Sequence, residues 1–250
     1  MNSDAHSNLG VSTDWFYQSL TRAHTHLSYE RFDQAEEIFF TLHDLVLSNT
    51  KLFEILPNHK IAQIHIGIGI IENAREKFPL ALKSFEKALD FHSTSQEIYF
   101  NKALSYYFLK QYKLAISDLT TAIHLSKEMD SSILFYNRAL CYFETQNYKQ
   151  AIKDFDVAIS EKPGDAHLFY SKALALASLH EYQNAARELE TALQIAPEYI
   201  EAQLLLGTIH LDLNRYDLAS EIFQNILQID GSNIYAKNKL DFALKKIEQI

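Results

Sequence analysis

Small and bulky apolar positions recur along this chain with a period close to 34 residues. Ala35, Ala81, Ala115, Ala151, Ala185 and Ala219 are each followed four positions later by Phe39, Phe85, Leu119, Phe155, Leu189 and Phe223. Three of the five intervals are 34 residues, one is 36, and the first is 46, a repeat with 12 residues inserted. A four-residue step keeps both side chains on one helical face. Twelve positions before each alanine stands another small residue: Ala23, Gly69, Ala103, Ala139, Ala173 and Gly207. Tyr106, Tyr142 and Leu176 follow three of these at a distance of three, and Tyr112, Tyr148, Tyr182 and Tyr216 precede the alanines by three. The pattern predicts helical hairpins locked by small-into-large packing, about six in succession.

This pattern resembles the tetratricopeptide repeat, whose motif runs aromatic, two residues, Leu, Gly, two residues, Tyr, then Ala, three residues, Phe, and a closing Pro. The resemblance runs from Phe16 to Asn233 and is strongest in Gln96 to Met129, Ser132 to Asp165 and Ala166 to Tyr199. Tyr99, Phe135 and Phe169 open those copies, and Pro163 and Pro197 stand at the closing position, where a helix cannot continue. It implies an all-α fold, a right-handed α-solenoid of antiparallel helical hairpins wound into a superhelix. The expected divisions are an N-terminal tail over 1–15, repeats over 16–49, 62–95, 96–129, 132–165, 166–199 and 200–233, and a capping helix over 234–250. Thr50 to Ile61, apolar and holding Pro57, is expected to extend the preceding helix and then turn. Leu240, Leu244 and Ile247 form the stripe by which the last helix covers an open apolar end. Lys102, Arg138 and Lys172 depart from the family's Leu, and their aliphatic stems are expected to cover apolar surface.

In this family the first helix of each hairpin lines a concave groove. Carried over by position, the resemblance selects Phe100, Asn101, Leu104, Tyr107 and Phe108 from the third copy. It selects Tyr136, Asn137, Leu140 and Phe143 from the fourth, and Tyr170, Ser171 and Leu174 from the fifth, with His167 beside them. Rings recurring at positions expected to face water mark an interaction site, packing between neighbouring repeats, or a surface covered by the chain's own Met1 to Asp14. Asn101 and Asn137 stand at equivalent positions, and a carboxamide can pair with both the amide and the carbonyl of a bound peptide backbone. The expected function is that of an adaptor or scaffold holding an extended or helical apolar segment of a partner protein. A chaperone for one client, resembling those of type III secretion, and a self-associating helper subunit are the alternatives. The chaperone-binding subclass is set aside. Leu20, Ile66, Phe100 and Tyr136 stand where its first Lys would be, so the donors for a typical Hsp70 or Hsp90 C-terminal carboxylate are missing.

Composition narrows the rest. With 47% hydrophobic residues but only six Gly and four Pro in 250 residues, the chain has core material and little turn chemistry for a β fold. A net charge of -9 argues against nucleic acid as a partner. The first basic residue is Arg22, so the opening residues lack the start of a secretory signal, and no apolar run approaches a membrane span. One cysteine, Cys141, suits a reducing compartment, and cytoplasmic residence is expected. The eleven histidines are scattered, Gly67 and Gly69 form a lone G-x-G, and Cys141 has no evident base. No enzymatic activity, metal or cofactor is expected. The sixth copy carries Glu201, Asp212, Asp217, Glu221 and Asp230 against Arg215 alone, an acidic end that would steer a basic partner if it is more than a solvated face.

Overall fold

A computed structural model describes residues 12–125 and 130–249; the tail's first eleven residues, the end of the third copy and Ile250 lie outside them. The described residues form fourteen helices and no strand, and the chain divides into two units, residues 1–129 and 130–250.

The first unit contains α1 (Thr13–Ser28), α2 (Phe32–Ser48), α3 (Thr50–Ile55), α4 (Asn58–Ala74), α5 (Phe78–Phe91), α6 (Gln96–Phe108) and α7 (Tyr112–His124). α1 pairs with α2, α4 with α5 and α6 with α7, while α2 packs on α4 and α5 on α6. The second unit contains α8 (Ser131–Glu144), α9 (Tyr148–Glu161), α10 (Ala166–Ser178), α11 (Tyr182–Ile195), α12 (Ile200–Asp212), α13 (Tyr216–Ile229) and α14 (Ile234–Ile247). There α8 pairs with α9, α10 with α11, α12 with α13, and α14 lies on α13.

The periodic residues explain the pairing. Ala23, Ala103, Ala139 and Ala173 are wholly or almost wholly buried, as are Phe39, Phe85, Leu119, Phe155, Leu189 and Phe223. At Gly69 and Gly207 even a methyl group is too large. An added Cβ would stand 2.5 Å from the Phe85 ring and 2.8 Å from the Phe223 ring. Each hairpin turns the same way. Glu30, Glu76, Lys110, Gln146, His180 and Asn214 all have φ between 56° and 61°. In every case the next amide donates to a carbonyl five residues earlier, as Gln111 N to Tyr106 O at 2.8 Å and Asn147 N to Tyr142 O at 2.8 Å. This left-handed closure satisfies the last carbonyls of the first helix. An aromatic residue then opens the second helix each time, Phe32 and Phe78 in the first two hairpins and Tyr112, Tyr148, Tyr182 and Tyr216 in the others.

Three details differ from the sequence expectation. Thr50 to Ile61 does not extend α2: Asn49 adopts an extended conformation, and its side chain accepts from Leu52 N at 3.1 Å, capping a separate α3. Leu52 and Leu56 then enter the core with Phe16, Phe39 and Ile64, and α4 already begins at Asn58, so Ile61 is helical. Buried apolar side chains, rather than helix continuity, decide the path of the insertion. On α14 Leu240 packs with the buried Ala236 and Ala243 and Ile247 is half-buried, as expected, whereas Leu244 is exposed.

The third difference concerns the cations at the Leu position. They do more than lay stems on apolar surface. Each pairs with a carboxylate sixteen residues on, in the following helix: Lys102 with Asp118 at 3.5 Å, Arg138 with Asp154 at 2.7 Å and Lys172 with Glu188 at 2.7 Å. Lys172 also reaches Asp156 at 2.8 Å, and the Arg138 guanidinium lies over the Phe135 and Tyr142 rings.

Candidate functional site

In the first unit the expected groove residues all lie on α6. Phe100, Asn101, Leu104 and Tyr107 are half-buried, and Phe108 is 59% exposed while stacking on Phe78 at 5.1 Å between ring centres. The Asn101 amide donates to the Glu97 carbonyl of its own helix at 2.9 Å. The Asn101 backbone carbonyl accepts from the Asn73 amide at 3.3 Å, and the single Ser105 hydroxyl proton is shared between Asn73 Oδ1 at 2.7 Å and that carbonyl at 3.2 Å. This polar junction ties α6 to α4.

In the second unit α8 supplies Tyr136, Asn137, Leu140 and Phe143, all half-buried, and α10 supplies Tyr170, Ser171 and Leu174. Asn137 repeats the behaviour of Asn101, donating to the Ile133 carbonyl at 2.8 Å. Phe143 meets Tyr148 edge-on at 5.3 Å. Ser171 differs from the expectation: it is 5% exposed and hydrogen-bonds Tyr136 instead of facing the surface.

What the fold assembles here is a continuous run of rings. Tyr136 lies 5.9 Å from His167, His167 stacks on Tyr170 at 6.1 Å, and Tyr170 lies 5.1 Å from Tyr199, the residue that opens α12. His167 Nδ1 and the Tyr199 hydroxyl are 2.7 Å apart, a hydrogen bond that fixes the far end of the run. His167 is exposed and the three tyrosines are half-buried, so the rings pack between repeats on one side and remain open on the other.

Burial above all raises the hydroxyls of the run, and nearby acidic groups add to it. Burial first, then Tyr170, Glu201, Tyr136 and Asp165, push the Tyr199 hydroxyl up to about 12. Burial and Glu201 raise Tyr170, and burial with Asp165 raises Tyr136 against the Ser171 hydrogen bond. Tyr199 was outside the sequence selection because it closes the fifth copy instead of lying within a first helix. An aromatic residue directly before Ile200, one repeat beyond Asp165, was the available signal.

Among the described residues no three His, Cys, Asp or Glu side chains come together as metal ligands, although His43 and His65 meet edge-on at 5.1 Å. Cys141 is buried, and that burial pushes its thiol up to about 12, so a thiolate nucleophile is not available there. No described helix is long and apolar enough to cross a membrane.

Three family models described as tetratricopeptide repeat match the sequence, at residues 96–128, 132–165 and 176–240, together more than half of the chain. No curated protein matches it. Solved structures match by shape. PilW, described as a widely conserved type IV pilus biogenesis factor, aligns with a TM-score of 0.73 at 14% identity over 90% of this chain and 98% of its own. PilF of Pseudomonas aeruginosa aligns at 0.71 with 16% identity, over 89% of this chain and 95% of its own. YrrB, described as a TPR protein with an unusual peptide-binding site, aligns at 0.62 with 18% identity, over 71% of this chain and 90% of its own. At these identities the likeness is one of fold.

Proposed function

We propose that this chain, which belongs to the tetratricopeptide repeat family, is a non-enzymatic adaptor that holds an extended or helical apolar segment of another protein. The observation that carries this reading is the run Tyr136, His167, Tyr170 and Tyr199, delivered by successive repeats and open on one side. Half-buried rings of this kind offer large contact area with few torsions left to freeze, because neighbouring repeats already hold them. Asn137 and Leu140 flank the run on α8 and Leu174 on α10, and Phe143 continues the apolar surface along α8. On α6, Phe100, Asn101, Leu104, Tyr107 and the exposed Phe108 serve the same role for their own unit. Each asparagine amide is satisfied by its own helix and keeps a second N–H for a bound backbone. The peptide-binding site described for YrrB is in keeping with this use of the fold.

The test is co-purification from native extract with mass spectrometry, comparing the natural chain with Tyr136→Ala/Asn137→Ala. The expected result is a protein recovered in near-stoichiometric amount with the natural chain and lost with the variant, at unchanged helical circular dichroism. Unchanged capture overturns the assignment of the site. Recovery of a single unfolded client points to the chaperone use, and recovery of more of the same chain to self-association.

A further inference from the structure

The ring run has a chemical bias that an apolar segment does not use. Asp165 and Glu201 stand at its edge, Asp165 capping α10 by accepting from His167 N at 3.0 Å and Glu201 in the first turn of α12. Both are exposed, and neither makes an ion pair among the described residues. Lys162, the cation nearest Asp165 in sequence, is held by Asp130 at 2.5 Å. The cations of α8 and α10 are committed elsewhere, Arg138 to Asp154 on α9, and Lys172 to Asp156 on α9 and Glu188 on α11. The site therefore offers π faces, phenol oxygens and two exposed carboxylates outside any ion pair among the described residues, Asp165 feeling the charge of Lys162, which is itself paired with Asp130.

We propose that the Tyr136, His167, Tyr170 and Tyr199 run, with Asp165 and Glu201 at its rim, receives an arginine side chain of the partner's segment. This rests on the adaptor reading and adds to it the residue that the segment must carry. A guanidinium is planar and weakly hydrated: it lies on a tyrosine face and turns its N–H fork to a carboxylate at the edge, as an ammonium cannot. Asp165 and Glu201 add to the burial that raises the tyrosine hydroxyls, in keeping with both carboxylates standing close to the rings. Residues 1–11 contain no arginine, so they do not supply the guanidinium.

The experiment is selection of 12-residue peptides from a random display library on the natural chain and on Asp165→Asn/Glu201→Gln. Asn caps a helix as Asp does, and both positions are exposed, so the variant keeps its fold and circular dichroism checks this. The expected result is enrichment of arginine at one position with the natural chain only. The best synthetic peptide should then lose about tenfold or more in affinity when its arginine is replaced by citrulline, and a similar factor against the variant. Peptides selected without a cation overturn the arginine site and leave the adaptor reading standing. Arginine peptides that bind the variant equally well overturn it too. Failure of the natural chain to select any peptide counts against both readings. Self-association of the natural chain that the variant abolishes overturns the separate partner, with a lysine or arginine of a second copy as the occupant.

Discussion

Gly67 lies against the face of Phe39: a Cβ built on this glycine would stand 2.2 Å from the ring's Cζ. Gly69, two residues on, faces Phe85 in the same way on the other side of α4. The G-x-G pair is thus a packing device that admits a ring from each neighbouring helix. Gly67→Ala gains about 1 kcal/mol of helix propensity but forces a fully buried ring aside, so a net loss of ~1–2 kcal/mol in urea unfolding is expected. Gly164→Ala, where an added Cβ meets nothing within 4 Å, is the neutral control.

The Arg138 and Asp154 side chains make two hydrogen bonds, at 2.7 and 2.9 Å, in a nearly buried setting. Asp154→Ala removes both and should cost about 2–3 kcal/mol. Arg138→Leu/Asp154→Leu, which restores the family's apolar residue, should recover most of that. A double-mutant cycle on urea midpoints reads the coupling.

Six non-glycine residues hold φ near +60° in the hairpin turns. Replacing Lys110, Gln146 or His180 by Gly removes the steric cost of that conformation, and each should add ~0.5–1 kcal/mol in stability. The thermal midpoint measures it. Asn214→Gly should gain less, because Asn tolerates the region better than the other three.

Burial above all, with His43 and Lys87 adding to it, holds the His65 imidazole down to about 4, where it stacks on Phe91 at 5.9 Å. An unfolded histidine takes its proton near pH 6.5. Between those values the unfolded chain carries the extra proton, so stability falls as pH drops from about 6.5 toward 4 and is insensitive to this group above about 7. Urea midpoints at pH 7.5, 6.0 and 5.0 should decline in that order, and His65→Phe should flatten the decline.

Cys141 is 1% exposed with its thiol pushed up to about 12. A thiol-disulfide reagent at pH 8 should label it at the rate of unfolding, not at the rate of a free thiol. Adding urea should raise that rate steeply.

The sequence by itself determined the repeat, because a hairpin that buries Ala139 against Phe155 needs the same small and large side chains at the same spacing in every copy. It also pointed to Tyr136 and Tyr170, since both fall at a fixed repeat position. Only the tertiary structure decided what those rings touch. Ser171 is buried and hydrogen-bonds Tyr136, and Tyr199, just before α12, meets Tyr170 ring to ring. The sixteen-residue ion pairs and the path of Thr50 to Ile61 were hidden for the same reason. A periodic pattern fixes which face of a helix is apolar, whereas a cation's carboxylate or a loop's buried leucine is chosen by whichever neighbouring helix the fold brings within reach.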